Sequence, residues 1–242
     1  THVSCIINRA QHRLVPTGLS MHRAASSALV FHHLDSFCCH AGGYAVYVHG
    51  MKSSAPLQWI ELSRSALNRN LNKLSRLAGG RIMAPSVKAN AYGHGLPEII
   101  RLLSARKEIE YVSVHSVEEA AICRESGWSG KIIVLGPIAL GALDAVVECQ
   151  LEPVICTREV LQGLGKLADR HSIRIYTHLK LETGTNRQGV TEKELPAFAR
   201  LYKKYRYLRA PLGASTHFAN IEDTTSHEYA QYQLGTFTRM IN

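Results

Sequence analysis

Long apolar runs are missing from this chain. No stretch approaches the ~20 residues that a membrane span requires, so a transmembrane helix is excluded on length. Acidic residues are scarce: 19 aspartates and glutamates face 28 lysines and arginines, a formal charge of +9 over 242 residues. Such a balance can suit nucleic acid or other anionic partners. The basic residues are scattered, however, apart from short groups such as Lys203-Lys204-Tyr205-Arg206, and no nucleic-acid motif accompanies them. The charge therefore reads as a solvated surface with a few anion-binding groups. Metal-ligand spacing is absent among the six cysteines, and a chain of this size does not need disulfide staples. Reduced thiols, a cytoplasmic setting and no metal are the expectation. What is present, 45% hydrophobic and 19% charged residues, is the composition of an ordinary globular protein.

A second scarcity divides the chain. Residues 1–50 contain no lysine and no glutamate, one aspartate, and seven of the thirteen histidines. Their apolar residues show no sustained helical or strand period. His32, His33, Cys38, Cys39 and His40 lack the paired spacing of a metal site. The arginines do not line one helical face, as a targeting peptide would require. Met51 is followed by a polar start, Lys52-Ser53-Ser54-Ala55-Pro56. The expectation is an atypical extension over 1–50, translated from upstream of a natural initiator at Met51, and one folded region over 51–242.

Beyond Leu57 the pattern alternates. Leu62, Leu67, Leu71, Leu74 and Leu77 predict a helix stopped by Gly79-Gly80. Strands are predicted over 81–87, 111–115, 131–135, 152–156, 174–181 and 208–217. Helices are predicted between them, over 97–103, 117–126, 139–149, 159–171 and 195–205. Six strands separated by helices imply a parallel α/β fold, because parallel neighbours need crossovers. A doubly wound sheet and a (β/α)8 TIM-type barrel compete. No GxGxxG follows the first strand, which counts against a dinucleotide-binding sheet. Lys88, Leu135, Lys180, Arg187 and His217 all fall at or just after strand ends, where barrel enzymes place their chemistry. The expected architecture is a barrel represented by about six of its eight strands.

The chemistry concentrates in Val87-Lys88-Ala89-Asn90-Ala91-Tyr92-Gly93-His94-Gly95. A strand-end lysine in a glycine-punctuated loop can condense with an aldehyde, and Tyr92 can offer its hydroxyl to a neighbouring anion. These nine residues resemble the pyridoxal-lysine motif of the alanine racemase family (fold-type III). His178-Leu179-Lys180-Leu181-Glu182-Thr183-Gly184-Thr185-Asn186-Arg187 resembles that family's segment whose lysine is often carbamylated, with Glu182 where relatives usually carry aspartate. Thr216-His217-Phe218-Ala219 resembles the segment whose histidine stacks on the cofactor ring.

The resemblance implies pyridoxal 5′-phosphate as cofactor. Lys88 would form the internal aldimine and serve as one catalytic base. Arg187 would contact the phenolic oxygen and the substrate carboxylate. Lys180 would be the carbamylated lysine, Tyr92 and Leu135 would line the cofactor, and His217 would lie against its ring. It also implies interconversion of L- and D-alanine for peptidoglycan, and a homodimer. The family's second base is a tyrosine from a carboxy-terminal β domain that these residues do not include. The 242-residue polypeptide alone is therefore expected not to racemise alanine at a useful rate. Two alternatives stay open: a racemase of another small amino acid such as serine, and a non-catalytic pyridoxal phosphate-binding carrier on a similar barrel.

Overall fold

The computed structural model describes residues 60–219 and 226–242, together with the backbone of 3–5 and 28–29. The boundary expected at Met51 lies outside the described residues. Helix α1 (Arg64–Ala78) starts where the Ser63 hydroxyl accepts the Ala66 N–H at 3.2 Å. It ends at Gly79, whose left-handed φ of 58° lets its N–H reach the Arg76 carbonyl. Leu67 and Leu71 face inward from this helix.

Six strands then alternate with helices: β1 (Met83–Pro85), α2 (Leu96–Ser104), β2 (Tyr111–Val114), α3 (Val117–Glu125), β3 (Lys131–Val134), α4 (Asp144–Glu148), β4 (Leu151–Ile155), α5 (Arg158–His171), β5 (His178–Lys180), α6 (Leu195–Lys204), β6 (Gly213–Ser215) and α7 (Glu228–Ile241). The backbone of Val3–Cys5 also runs parallel to β1, and Ala28–Leu29 pairs antiparallel with Leu62–Ser63.

Strands β2 to β6 form one parallel sheet in chain order. Strand β1 joins β2 just past its end, through the Ser86–Ser113 bridge and a 2.8 Å bond from the Val87 N–H to the Ser113 carbonyl. This explains how Pro85 is tolerated. Its missing N–H falls before the point where the link to β2 begins. A doubly wound sheet reverses its strand order at a switch point. No reversal occurs here, and the sheet curls as a parallel half-barrel.

Two apolar compartments follow from the strand period of two. Ala84, Ile133 and Val154 pack together on the concave face with Tyr111 and Leu135. The larger core, which includes Ile100, Val112, Ile132, Leu164 and Phe198, lies between the sheet and the helices. Glu152 shares the concave face with Val154, and there it meets His178 at 3.1 Å and Lys131 at 3.5 Å. Arg124 closes the opposite end of the sheet's loops by donating to the Cys149, Trp128, Gly130 and Gln150 carbonyls.

Three expectations are corrected in detail. The helix predicted over 139–149 is a 3-10 turn, Leu140–Ala142, followed by the short α4; Gly141 disfavours a continuous helix. The strand predicted over 208–217 is only Gly213–Ser215. Pairing begins at the Ile175–Leu208 bridge, with the Ile175 N–H on the Tyr207 carbonyl and the Arg209 N–H on the Ile175 carbonyl, and resumes with the Leu212 N–H on the Thr177 carbonyl. Pro211 occupies the next donor position and has no N–H to give. Helix α7 lies beyond the last predicted element. Among the described residues no helix is long and apolar enough to cross a membrane, and no cluster of three potential metal ligands occurs. Cys123, Cys149 and Cys156 are free thiols.

Candidate active site

Lys88 lies two residues past the Ser86 bridge, half-buried, where the chain leaves β1. The glycine-punctuated loop that follows has a regular start. Ala89, Asn90, Ala91 and Tyr92 have φ of 52°, 54°, 52° and 55°, so four consecutive residues wind left-handed. For L-residues this costs roughly 1–2 kcal/mol each. Compensating hydrogen bonds surround the turn. The Ala91 N–H reaches the Val87 carbonyl at 2.8 Å, and the Gly95 N–H reaches the Asn90 carbonyl at 3.1 Å. The Asn90 side-chain oxygen accepts the Leu96 N–H at 2.7 Å. The Glu119 carboxylate accepts the Ala89 N–H at 2.6 Å and the His115 N–H at 2.7 Å.

The β5 end builds the second part. Lys180 is the last residue of β5, and its amine is held below the ordinary lysine value. Burial is the largest cause; repulsion from Arg187 and Lys88 adds to it, against the opposing pull of Cys156 and Glu182. Glu182 organises the loop that carries Arg187. Burial would raise its pKa, but the N–H groups of Asn186, Gly184, Arg187 and Thr185 outweigh burial and hold the carboxyl below its usual value. The Gly184 bond is 2.6 Å. The loop returns at Gly189, with φ 147°, and Val190 pairs with Leu181. A Cβ on Gly189 would stand 2.6 Å from the Glu182 nitrogen.

The β6 end is tied to this loop. The His217 carbonyl accepts from the Thr185 hydroxyl and, at 3.1 Å, from the Gln233 side-chain amide. Gln233, fully buried on α7, also accepts the Ala219 N–H at 2.8 Å and contacts the hydroxyls of Thr183 and Thr185 at 3.3 Å each. Thr183 and Thr216 join hydroxyls at 2.7 Å, and Tyr229 donates to the Gly184 carbonyl. One buried polar network thus couples the β5 and β6 loops.

Among the sequence-predicted residues, Lys88, Lys180 and Arg187 lie within electrostatic reach of one another. Leu135 belongs to the concave apolar cluster, and its carbonyl is 3.4 Å from the Gln188 amide, which connects it to the Arg187 loop. His217 stands two residues past β6 with its side chain exposed and its backbone held as described. Tyr92 ends the left-handed turn 41% exposed, and no hydrogen bond joins it to the other candidates among the described residues. Sequence reasoning missed Glu119 and Gln233. The first has a local signal, because Ser116-Val117-Glu118-Glu119 reads as a capping box. The second has none, since its partners in the β5 loop are 48 and 50 residues away.

Residues 62–242 match the family model described as "Alanine racemase, N-terminal domain". An alanine racemase of Desulfovibrio desulfuricans is 32% identical over 184 residues, covering 76% of this chain and 49% of that protein. A broad specificity amino-acid racemase of Pseudomonas putida is 31% identical over 134 residues, covering 54% of this chain and 32% of the relative. The solved alanine racemase of Clostridium difficile 630 superposes with a TM-score of 0.67 at 26% identity, covering 72% of this chain and 46% of that one. The chain therefore spans about half the length of the curated relatives it matches.

Proposed function

This chain belongs to the alanine racemase family, matching its N-terminal domain, and from that premise we propose that it binds pyridoxal 5′-phosphate and supplies one side of an amino-acid racemisation. The observation that carries the reading is the convergence of Lys88, just past β1, with Lys180 and Arg187, at the end of β5 and in the loop after it. Two carboxylates stand near them among the described residues, and both are engaged by backbone N–H groups: Glu182 by its own loop and Glu119 by Ala89 and His115. Cationic charge is thus in excess, which fits a cofactor bearing a phosphate and a phenolate.

When bound, the cofactor supplies the electron sink that acidifies the substrate Cα–H bond. Lys88 is the residue that would hold it covalently. As a free amine, Lys88 Nζ would take or return the Cα proton on its own face of the substrate. Arg187 would orient the substrate carboxylate and the phenolic oxygen by charge-assisted hydrogen bonds. Tyr92 would offer its hydroxyl to the phosphate, and Leu135 and His217 would bound the ring. Lys180, whose amine burial holds below the ordinary lysine value, suits carbamylation: the lone pair of the deprotonated amine attacks carbon dioxide, one proton leaves to water, and the resulting anion pairs with Arg187. The base for the opposite face is expected in the half of the relatives' length that this chain does not match.

The substrate proposed is alanine, yielding D-alanine for peptidoglycan in a cytoplasmic homodimer. The similarity to a broad specificity racemase favours a test of other small amino acids as well. Addition of pyridoxal 5′-phosphate to the purified chain should produce a new near-ultraviolet or visible absorbance band, fixed by borohydride as a mass adduct on the peptide containing Lys88. Lys88→Ala should abolish both. Retention of the adduct in that variant, on a different lysine, would sink the assignment.

A further inference from the structure

Ser116-Val117-Glu118-Glu119 opens α3 with the sequence of a capping box, and one half of that box is made. The Ser116 hydroxyl accepts the Glu119 N–H at 3.3 Å. In the reciprocal half, the glutamate carboxylate would accept the N–H of the capping serine itself. Glu119 does something else. One carboxylate oxygen accepts the His115 N–H at 2.7 Å, one residue earlier, where the chain leaves β2. The other crosses to a different segment and accepts the Ala89 N–H at 2.6 Å. Ala89 follows Lys88 directly and is the first residue of the left-handed turn.

The location matters more than the bond count. Left-handed backbone is unfavourable for alanine and asparagine, so the turn persists only where the surroundings over-determine it. Hydrogen bonds within the segment close the turn on itself, from the Val87 carbonyl to the Leu96 N–H. Beside Lys88, Glu119 adds a bond to the Ala89 N–H from outside the segment. A carboxylate accepting two backbone N–H groups forms charge-assisted bonds, stronger than neutral ones. Its negative charge also sits at the N-terminal end of α3, where the helix dipole favours it.

We propose that Glu119 is a positioning residue for Lys88. By clamping the Ala89 and His115 N–H groups together, it sets the direction in which the Lys88 side chain leaves the end of β1. The pair of contacts fixes the lysine turn against β2, the neighbouring strand of the sheet, so that the amine is presented at the strand ends and not swept by the turn. This inference rests on the reading of Lys88 as the cofactor-binding lysine.

The test uses the 242-residue chain with Glu119→Ala, Glu119→Gln and, as a control on the same helix terminus, Ser116→Ala. Hydrogen–deuterium exchange at the Ala89 amide and the half-saturation concentration for pyridoxal 5′-phosphate, read by absorbance, are measured together with the thermal midpoint. Glu119→Ala should speed Ala89 exchange and raise half-saturation by about tenfold or more, since a misplaced reacting group loses far more than its bond is worth. Glu119→Gln, which keeps one acceptor oxygen, should fall between it and the parent. Ser116→Ala should lower the thermal midpoint while leaving both local readouts at the parent value.

Unchanged Ala89 exchange and half-saturation in Glu119→Ala would overturn the proposal. So would equal losses in Ser116→Ala, which would reduce Glu119 to a general support of α3. If Glu119→Ala does not fold, Glu119→Gln decides by the same two readouts. If the parent chain forms no adduct with pyridoxal 5′-phosphate, the reading of Lys88 fails, while Ala89 exchange still shows whether Glu119 holds the turn.

Discussion

Replacing Gln233 by leucine keeps nearly the same volume in a fully buried position and removes every polar contact the side chain makes. The Ala219 N–H loses its acceptor, and the His217 carbonyl loses the Gln233 amide while keeping the Thr185 hydroxyl. The Thr183 hydroxyl retains Thr216. Two well-formed hydrogen bonds are lost at about 1 kcal/mol each, and a stranded N–H adds about 1–3 kcal/mol, partly offset by the easier burial of leucine. The net expectation is a loss of about 2–4 kcal/mol, which in a protein of this size lowers the thermal midpoint by about 4–16 °C. Differential scanning calorimetry at pH 7 measures it. Gln233→Glu sharpens the test. A buried carboxylate there can still accept from Ala219 but cannot donate to the His217 carbonyl, and burial raises its folded-state pKa. Its deficit should therefore be greatest at alkaline pH and shrink as pH falls and the group takes up its proton. A midpoint for Gln233→Leu within about 2 °C of the parent would refute the claim that this network couples the two loops.

Three further outcomes are expected. Gly189→Ala would push a Cβ to within 2.6 Å of the Glu182 nitrogen and 2.8 Å of the Leu181 carbonyl carbon, neither of which can swing aside. It should cost about 1–3 kcal/mol, read as a lower urea midpoint, and an unchanged midpoint would contradict the observed loop. Glu182 has a folded-state pKa below its usual 4.5, so its contribution to stability is complete above that value and is lost as pH falls through the lower, folded-state one. Glu182→Gln should accordingly be less stable than the parent at pH 7, with the gap closing in acid; a gap that widens in acid would reverse the sign. The Cys123 thiol is pushed up to about 12, chiefly by burial, and should resist alkylation at pH 8 until the chain is unfolded. Peptide mass mapping of native and urea-treated protein checks this, and rapid native labelling would show that the residue is not buried as described.

Much of this molecule is legible along the chain because the relevant signals are local. The alternation of apolar strands with amphipathic helices needs only near neighbours to be read, and it yields the six parallel strands. The lysine motif and the two later segments are contiguous strings, so they identify the family without any knowledge of contacts. Arg187 is singled out only by that resemblance, since seven residues after a strand-end lysine it otherwise reads as a surface arginine. The limits are just as local. Pro85 and Pro211 stand in plain view, yet their effect depends on which neighbouring strand would have received their missing N–H.

Sequence pattern alone was enough for a parallel α/β chain with a reactive lysine at a strand end. It also favoured a barrel over an open doubly wound sheet, and the strand order, a property of long-range pairing, agrees. At Ala89–Tyr92 it indicated a loop but not the loop's hand. Alanine favours right-handed helix, and of the four residues only Asn90 is of a type that tolerates the left-handed region, so local preference does not select four such residues in a row. The turn exists because Glu119, 30 residues further on, and the bonds around Asn90 offset its cost. Gln233 acts from a similar distance on the Arg187 loop. Such contacts arise only when the chain has folded, because the groups that make them carry no sign of one another in the sequence.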